Sequence, residues 1–216
     1  MSKIIRLQVG EVLTNTYIIK SKDEIIIIDP AFDSEKIIKE IKNLKGCVKY
    51  IINTHGHIDH ISSNNDLLKE FNCQLLIHEL DSKLLTSPGR NLSLLFGYSY
   101  VSRNADLLLR DGDIVKIGDL ELKVIHTPGH TEGSISLYGN GFIFTGDTLF
   151  YDSIGRTDFP GGNERKLFES LKKLTKIIKD EQIVYPGHGE FGNFYKIKKI
   201  NPFLKLFEEE VWQKSE

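Results

Sequence analysis

Residues 53–61 read Asn53-Thr54-His55-Gly56-His57-Ile58-Asp59-His60-Ile61 and place three imidazoles and one carboxylate within six positions. Neutral imidazole nitrogens and carboxylate oxygens are ligands for divalent cations such as zinc, iron and manganese. In an extended segment, residues two apart project to the same side, so His55 and His57 can grip one ion. Asp59 and His60, at the turn into the next element, point elsewhere and leave room for a second, neighbouring ion. Gly56 keeps a Cβ from standing between the first two imidazoles.

A metal pair held by this stretch alone would be under-coordinated, so further ligands must arrive from elsewhere in the chain. Three glycine-punctuated turns supply them, each after an apolar run: Thr127-Pro128-Gly129-His130-Thr131, Thr145-Gly146-Asp147-Thr148 and Tyr185-Pro186-Gly187-His188-Gly189. They deliver His130, Asp147 and His188 in turn. Five of the seven histidines are used in this way. His78 and His126 remain, and His126 falls inside a strand, where a structural imidazole is expected. One Pro-Gly-His turn carries little information, but five histidines and two aspartates at loop starts point jointly to a metal site.

The elements that must position these ligands alternate. Residues 3–9 and 12–20 read as a strand pair with Gly10-Glu11 as the turn. Ile25–Ile28 reads as a strand buried on both faces and closed by Asp29-Pro30. Ile37, Ile38, Ile41 and Leu44 form one helical stripe, capped by Asp33 or Ser34, and Gly46 leads into a strand, Tyr50-Ile51-Ile52, that ends at the histidine motif. The ligands thus fall at a strand's carboxyl end, where open α/β sheets place chemistry. A second stripe runs from Ile61 to Phe71, then a strand at Leu75–Ile77 and a helix near residues 79–85.

Residues 86–106 break the alternation: glycine, proline, serine and asparagine mixed with Phe96, Tyr98, Tyr100 and Val101 suit either a substrate lid or an ordinary insertion. Strands follow at Ile114–Ile117, Leu120–Ile125, Ser134–Tyr138 and Phe142–Thr145, then a helix over Leu167–Ile178, a strand at Ile183–Tyr185 and an amphipathic helix over Phe203–Val211. Two halves that each mix strands and helices predict one α/β domain over residues 1–216, a four-layer αββα sandwich.

A chain of 216 residues suits one sizeable core. The formal net charge of −2 and the lack of a long basic run argue against a nucleic-acid partner. The start, Met1-Ser2-Lys3-Ile4-Ile5-Arg6, lacks the apolar core of a signal peptide, and no apolar run is long enough to cross a bilayer. A cytoplasmic protein with no membrane partner is the expectation. Cys47 and Cys73, near strand starts and apart from the histidines, are expected to be small buried thiols.

Through Thr54-His55-Gly56-His57-Ile58-Asp59-His60, Thr127-Pro128-Gly129-His130-Thr131, Gly146-Asp147-Thr148 and Pro186-Gly187-His188, the chain resembles the metallo-β-lactamase-fold hydrolases, within them the hydroxyacylglutathione hydrolase (glyoxalase II) branch. The resemblance implies a first cation on His55, His57 and His130, a second on Asp59, His60 and His188, and Asp147 bridging the two. Two divalent ions per chain follow, zinc foremost, with iron or manganese also suited to the donor set. Sharing one carboxylate and one water, they would make hydroxide available near neutral pH to attack a small-molecule thioester or ester, with Asp59 orienting the attacking oxygen. Thr54, Thr131 and Asp29 are candidates either to partner the ligand imidazoles or to cap and shape their turns.

The resemblance also sets limits. Zinc β-lactamases usually carry a cysteine where Asp147 falls, which demotes that activity. Only a short tail follows His188, so no separate C-terminal glutathione-binding domain is expected. Gly155-Arg156-Thr157-Asp158-Phe159 is shared with short glyoxalase II-like hydrolases and with persulfide dioxygenases, in which His55, His130 and Asp147 would face one iron. Arg156 could hold a substrate carboxylate or pair with Asp158 to brace its loop. Gly187-His188-Gly189-Glu190 looks more like the hydrolases, and a metallo-phosphodiesterase is a third reading.

Overall fold

The structure, a computed structural model, describes residues 2–206. Strands β1 (Lys3–Val9), β2 (Thr14–Ser21) and β3 (Glu24–Ile28) form an antiparallel meander, and β4 (Cys47–Asn53), β5 (Gln74–His78) and β6 (Leu107–Leu109) continue it in parallel. The parallel connections carry helices α1 (Ser34–Leu44), α2 (Ile58–Ile61), α3 (Asn64–Glu70) and α4 (Ser82–Leu85). The second sheet has the order β12-β11-β10-β9-β8-β7, built from β7 (Ile114–Ile117), β8 (Leu120–His126), β9 (Ile135–Gly139), β10 (Phe142–Gly146), β11 (Ile183–Pro186) and β12 (Gly192–Asn193). Only β10 and β11 are parallel there, and α5 (Glu164–Ile177) makes the crossover between them. Helix α6 (Phe194–Ile200) follows β12.

Strand alternation explains the layers. Tyr17, Ile19, Ile26, Ile28 and Ile52 of the first sheet meet Val115, Leu122, Val124, Leu137 and Phe144 of the second in a buried core between the sheets. The opposite face of the first sheet, through Ile18, Ile25, Ile27 and Ile51, packs on Ile37, Ile41 and Leu67 of α1 and α3. The outer face of the second, through Ile125, Ile143 and Val184, packs on Leu167, Leu171, Leu174 and Ile197 of α5 and α6. The result is the expected four-layer αββα sandwich.

Several sequence expectations are corrected. The stripe over 61–71 divides into α2 and α3 at buried Ser63, whose N–H donates to Pro30 O at 3.0 Å and whose hydroxyl donates to Ala31 O instead of continuing the helix. Asp33 stands at the N-cap of α1 in the left-handed region (φ 69°), yet its carboxylate does not cap the helix. It instead accepts from Gly10 N at 3.4 Å and ties down the β1–β2 turn. Cys47 is exposed at the amino end of β4, whereas Cys73 is buried and its thiol pushed up to about 11 by burial. Strand β6 and helix α6 were not anticipated; Asn193 caps α6 by accepting from Lys196 N at 3.0 Å. Residues 202–206 are helical, and the rest of the helix expected up to Val211 lies outside the described residues. No helix among the described residues is long and apolar enough to cross a membrane.

Candidate metal centre

Strands β4, β8, β10 and β11 deliver the four ligand-bearing loops to one edge of the sandwich, each just past the strand's carboxyl end. All seven expected ligands meet there. Three groups have one ligand atom per residue within 4.8 Å of one another: His55, His57 and His130; His55, His60 and Asp147; and Asp59, His60 and His188.

The hydrogen bonds behind the imidazoles decide which nitrogens face inward. His60 Nδ1 lies 3.0 Å from Asp29 Oδ2, His130 Nδ1 2.7 Å from Arg156 O and His188 Nδ1 3.1 Å from Val12 O. Each of these oxygens can only accept, so each ring donates through Nδ1 and turns Nε2 inward. His60 Nε2 and His188 Nε2 then stand 3.2 Å apart. Two neutral rings would present two lone pairs to one point, so either a proton or a metal cation must stand between them. His57 Nδ1 likewise lies 2.9 Å from His130 Nε2. His55 Nε2 and Asp147 Oδ1 are buried without a hydrogen-bond partner among the described residues. Orphaned buried acceptors and converging lone pairs fit divalent cations.

The electrostatics divide the site in two. Burial and the neighbouring imidazoles hold His55 well below the ordinary histidine range. Burial and His130 hold His57 down to about 3. These rings are neutral at pH 7, the form that binds metal. Burial also pulls on His60, but Asp147, Asp59 and Asp29 outweigh it and raise the ring to about 10. His188 is raised in the same way, its burial outweighed by Asp147 and Asp59. Burial favours the neutral acid at Asp59, yet His60 and His188 prevail and hold its carboxyl well below the usual range. This half of the site is built to surround positive charge.

Backbone geometry explains why glycines separate the ligands. A Cβ on Gly187 would lie 2.1 Å from Asp147 Oδ1 and 2.8 Å from His60 Cε1, inside the ligand cluster itself. Gly56 serves a different purpose from the one expected of it: a Cβ there would strike Leu84 Cβ of α4 at 2.4 Å. The 186–189 turn is clamped by β2, where Asn15 Nδ2 donates to Pro186 O and Gly189 O at 3.0 Å each, and Tyr17 OH to Pro186 O at 2.6 Å.

A family model described as the metallo-beta-lactamase superfamily matches residues 9–188. The chain belongs to that superfamily. Hydroxyacylglutathione hydrolase GloC of Haemophilus influenzae is 33% identical over 186 residues, which cover 82% of this chain and 86% of the relative. The crystal structure of the BLEG-1 B3 metallo-beta-lactamase superposes with a TM-score of 0.88 at 33% identity, covering 94% of this chain and 99% of that one. TTHA1623 in a di-iron-bound form gives 0.81 at 28% identity, covering 93% and 100%.

In this metallo-beta-lactamase-family site two of the three expected supporting residues touch ligands. Asp29 accepts from His60 Nδ1, and Thr54 Oγ1 lies 3.2 Å from His55 Nδ1 while donating to Asp29 Oδ2 at 2.7 Å. Thr131 does not: its hydroxyl donates to Asp81 Oδ2 at 2.7 Å. Asp81, which no local sequence signal marks, is fully buried and accepts from Gly56 N at 3.0 Å and Gly133 N at 2.7 Å. It pins the His55-Gly56-His57 turn to the His130 loop. Arg156 pairs with Asp158 through two contacts of 2.6 Å, the bracing alternative, while its carbonyl fixes His130. His78 and His126 stack on each other with ring centroids 4.2 Å apart and belong to none of the ligand groups, and His126 Nε2 meets Glu132 O at 2.9 Å, the structural role expected of it.

Above the ligands opens a cleft of about 360 Å³. His57, Asp59, His130, Asp147 and His188 form its floor, and Val12, Leu92, Phe96, Phe150, Ile154, Arg156 and Phe159 its walls. Residues 86–106 therefore border the site through Leu92 and Phe96.

Proposed function

We propose that this chain is a metal-dependent hydrolase that cleaves a thioester or ester carbonyl with water. One observation carries the reading: two ligand sets meet on the floor of an open cleft, with Asp147 in reach of both, Oδ2 3.6 Å from His130 Nε2 and Oδ1 3.4 Å from His60 Nε2. His55, His57 and His130 would hold one cation and Asp59, His60 and His188 the other. Divalent ions bound there would acidify a water and polarise a carbonyl oxygen.

The chain's own groups do the rest. Asp59 lines the cleft with Oδ2 3.2 Å from His188 Nε2, and it is held ionised. It can accept a hydrogen bond from water entering the cleft and so fix where the attacking lone pair points. Asp29 and the carbonyls of Arg156 and Val12 hold the imidazoles in one tautomer. A thiol of pKa about 8.5 leaves without a strong general acid, and no lysine, tyrosine or cysteine lines the cleft among the described residues.

The complete second ligand set supports hydrolysis over the one-iron dioxygenase reading, as does the di-iron form of TTHA1623. The similarity to GloC supports a thioester. The likeness to a B3 metallo-beta-lactamase makes a β-lactam a necessary control, despite Asp147. Metal per chain should be measured by emission spectroscopy on protein loaded with zinc, iron or manganese. Each form is then assayed on acyl thioesters, a chromogenic β-lactam, an aryl phosphodiester and, with an oxygen electrode, glutathione persulfide. Two metals with thioester turnover and no oxygen uptake are expected; one iron with oxygen uptake overturns the proposal.

A further inference from the structure

We infer that the cleft selects carbonyl compounds with an uncharged apolar acyl chain over glutathione conjugates. The inference rests on the hydrolase reading for its chemistry, but it is carried by the cleft walls. Three separate stretches each contribute apolar side chains around the ligand floor: Val12 from the β1–β2 turn, Leu92 and Phe96 from the segment after α4, and Phe150, Ile154 and Phe159 from the loop after Asp147. They surround the reacting position on both sides. The Phe159 ring lies 5.9 Å from that of His57, and the Phe150 ring 6.1 Å from that of His188. Val12 and Phe96 are 40% and 48% exposed, so apolar surface at the mouth remains for a guest to cover.

A glutathione conjugate asks for something else. It carries carboxylates and an ammonium, which must find partners when they leave water. Apart from the histidines of the ligand floor, Arg156 is the one basic side chain among the described residues that line the cleft. Its Nε and Nη2 are already bonded to the two oxygens of Asp158, and its guanidinium lies 4.0 Å over the Phe159 ring. A guest carboxylate would find only the Nη1 side of this guanidinium, its charge already shared with Asp158. A methylene chain displaces only water from Val12, Leu92, Phe96 and the phenyl rings, and gains free energy for each group buried.

The test separates binding from turnover. Straight-chain alkyl hydroxamates of two to eight carbons are titrated calorimetrically into the metal-loaded protein, and the acyl thioesters of N-acetylcysteamine of the same lengths are assayed beside a hydroxyacylglutathione thioester. Affinity should rise about two- to fourfold per methylene, and the hexanoyl thioester should exceed the glutathione substrate in kcat/KM. Phe96→Ser should flatten the binding series, while Leu95→Ser, at a neighbouring exposed position off the cleft, should not. Affinity independent of chain length, or preference for the glutathione thioester, overturns the inference. A rising series with no hydrolysis of any substrate upholds the cleft's selectivity and removes the hydrolase reading instead.

Discussion

His60 Nδ1 and Asp29 Oδ2 stand 3.0 Å apart, both fully buried, and the same carboxylate accepts from Thr54 N and Thr54 Oγ1 at 2.7 Å each. One side chain at the end of β3 therefore sets the tautomer of His60 and anchors the first residue of the histidine motif. It does so from a left-handed backbone (φ 50°), a region that Asp and Asn tolerate better than other side chains.

Asp29→Asn keeps the shape and the backbone preference but removes the charge that fixes His60. Metal affinity should fall about 10- to 100-fold, read by chelator competition, with the folded far-ultraviolet spectrum retained. Unchanged affinity would show that the carboxylate serves only the turn.

Asp147 lies within 3.6 Å of ligand nitrogens from both sets, His130 Nε2 and His60 Nε2. Asp147→Ala should lower the metal content per chain and abolish turnover. Retention of two metals and of activity would contradict its shared position.

Asp81 joins the two loops that bear the first ligand set. Asp81→Ala strands the buried N–H groups of Gly56 and Gly133, while the Thr131 hydroxyl keeps Ser134 Oγ at 2.7 Å, at a cost of roughly 1–3 kcal/mol for each group left unsatisfied. Urea unfolding should show a loss of about 2 kcal/mol or more. A midpoint unmoved from that of the parent would mean that water replaces the carboxylate.

The two sheets were legible because Ile-rich runs and period-two alternation state burial directly, and the convergence of the His/Asp cluster because imidazoles and aspartates recur just past apolar runs. What the sequence concealed has a physical cause in each case. Asp81 and Ser63 act through contacts with residues far along the chain, Gly56, Gly133 and Ala31, and nothing in their local pattern marks such partners. β6 is three residues long and pairs at the sheet's edge, too short to show a period. Helix α6 had a readable signal in Asn193, a cap followed by Phe194 and Ile197 at helical spacing, but it sits directly on the end of β12. Thr131 is the opposite case, where the turn role holds. Adjacency to His130 suggested a ligand partner, whereas its hydroxyl points to Asp81 and Ser134.

Arg156 and Asp158 are largely exposed, so their pairing contributes little to stability despite its two short contacts. Arg156→Ala should shift the thermal midpoint by no more than a degree or so. If the guanidinium also meets substrate, KM should rise several-fold with kcat preserved. Kinetics identical to the parent would leave Arg156 with the bracing role alone and with its carbonyl bond to His130.

The raised proton affinity of His60 predicts how metal loading responds to pH. In the metal-free protein this ring, held up to about 10 by Asp147, Asp59 and Asp29 against the effect of burial, is protonated at pH 7. Its contribution to stability is fully present below its unfolded value near 6.5 and is lost as pH rises through 10. A cation taking up Nε2 must expel that proton, so apparent metal affinity should climb as pH rises from 6.5 toward 10, by about tenfold per unit for each proton displaced. Adding zinc to metal-free protein in weak buffer at pH 7.5 should release protons measurable with an indicator dye, and His60→Ala should reduce the yield. Binding without proton release would mean that His60 stays outside the coordination sphere and that the second ligand set does not form.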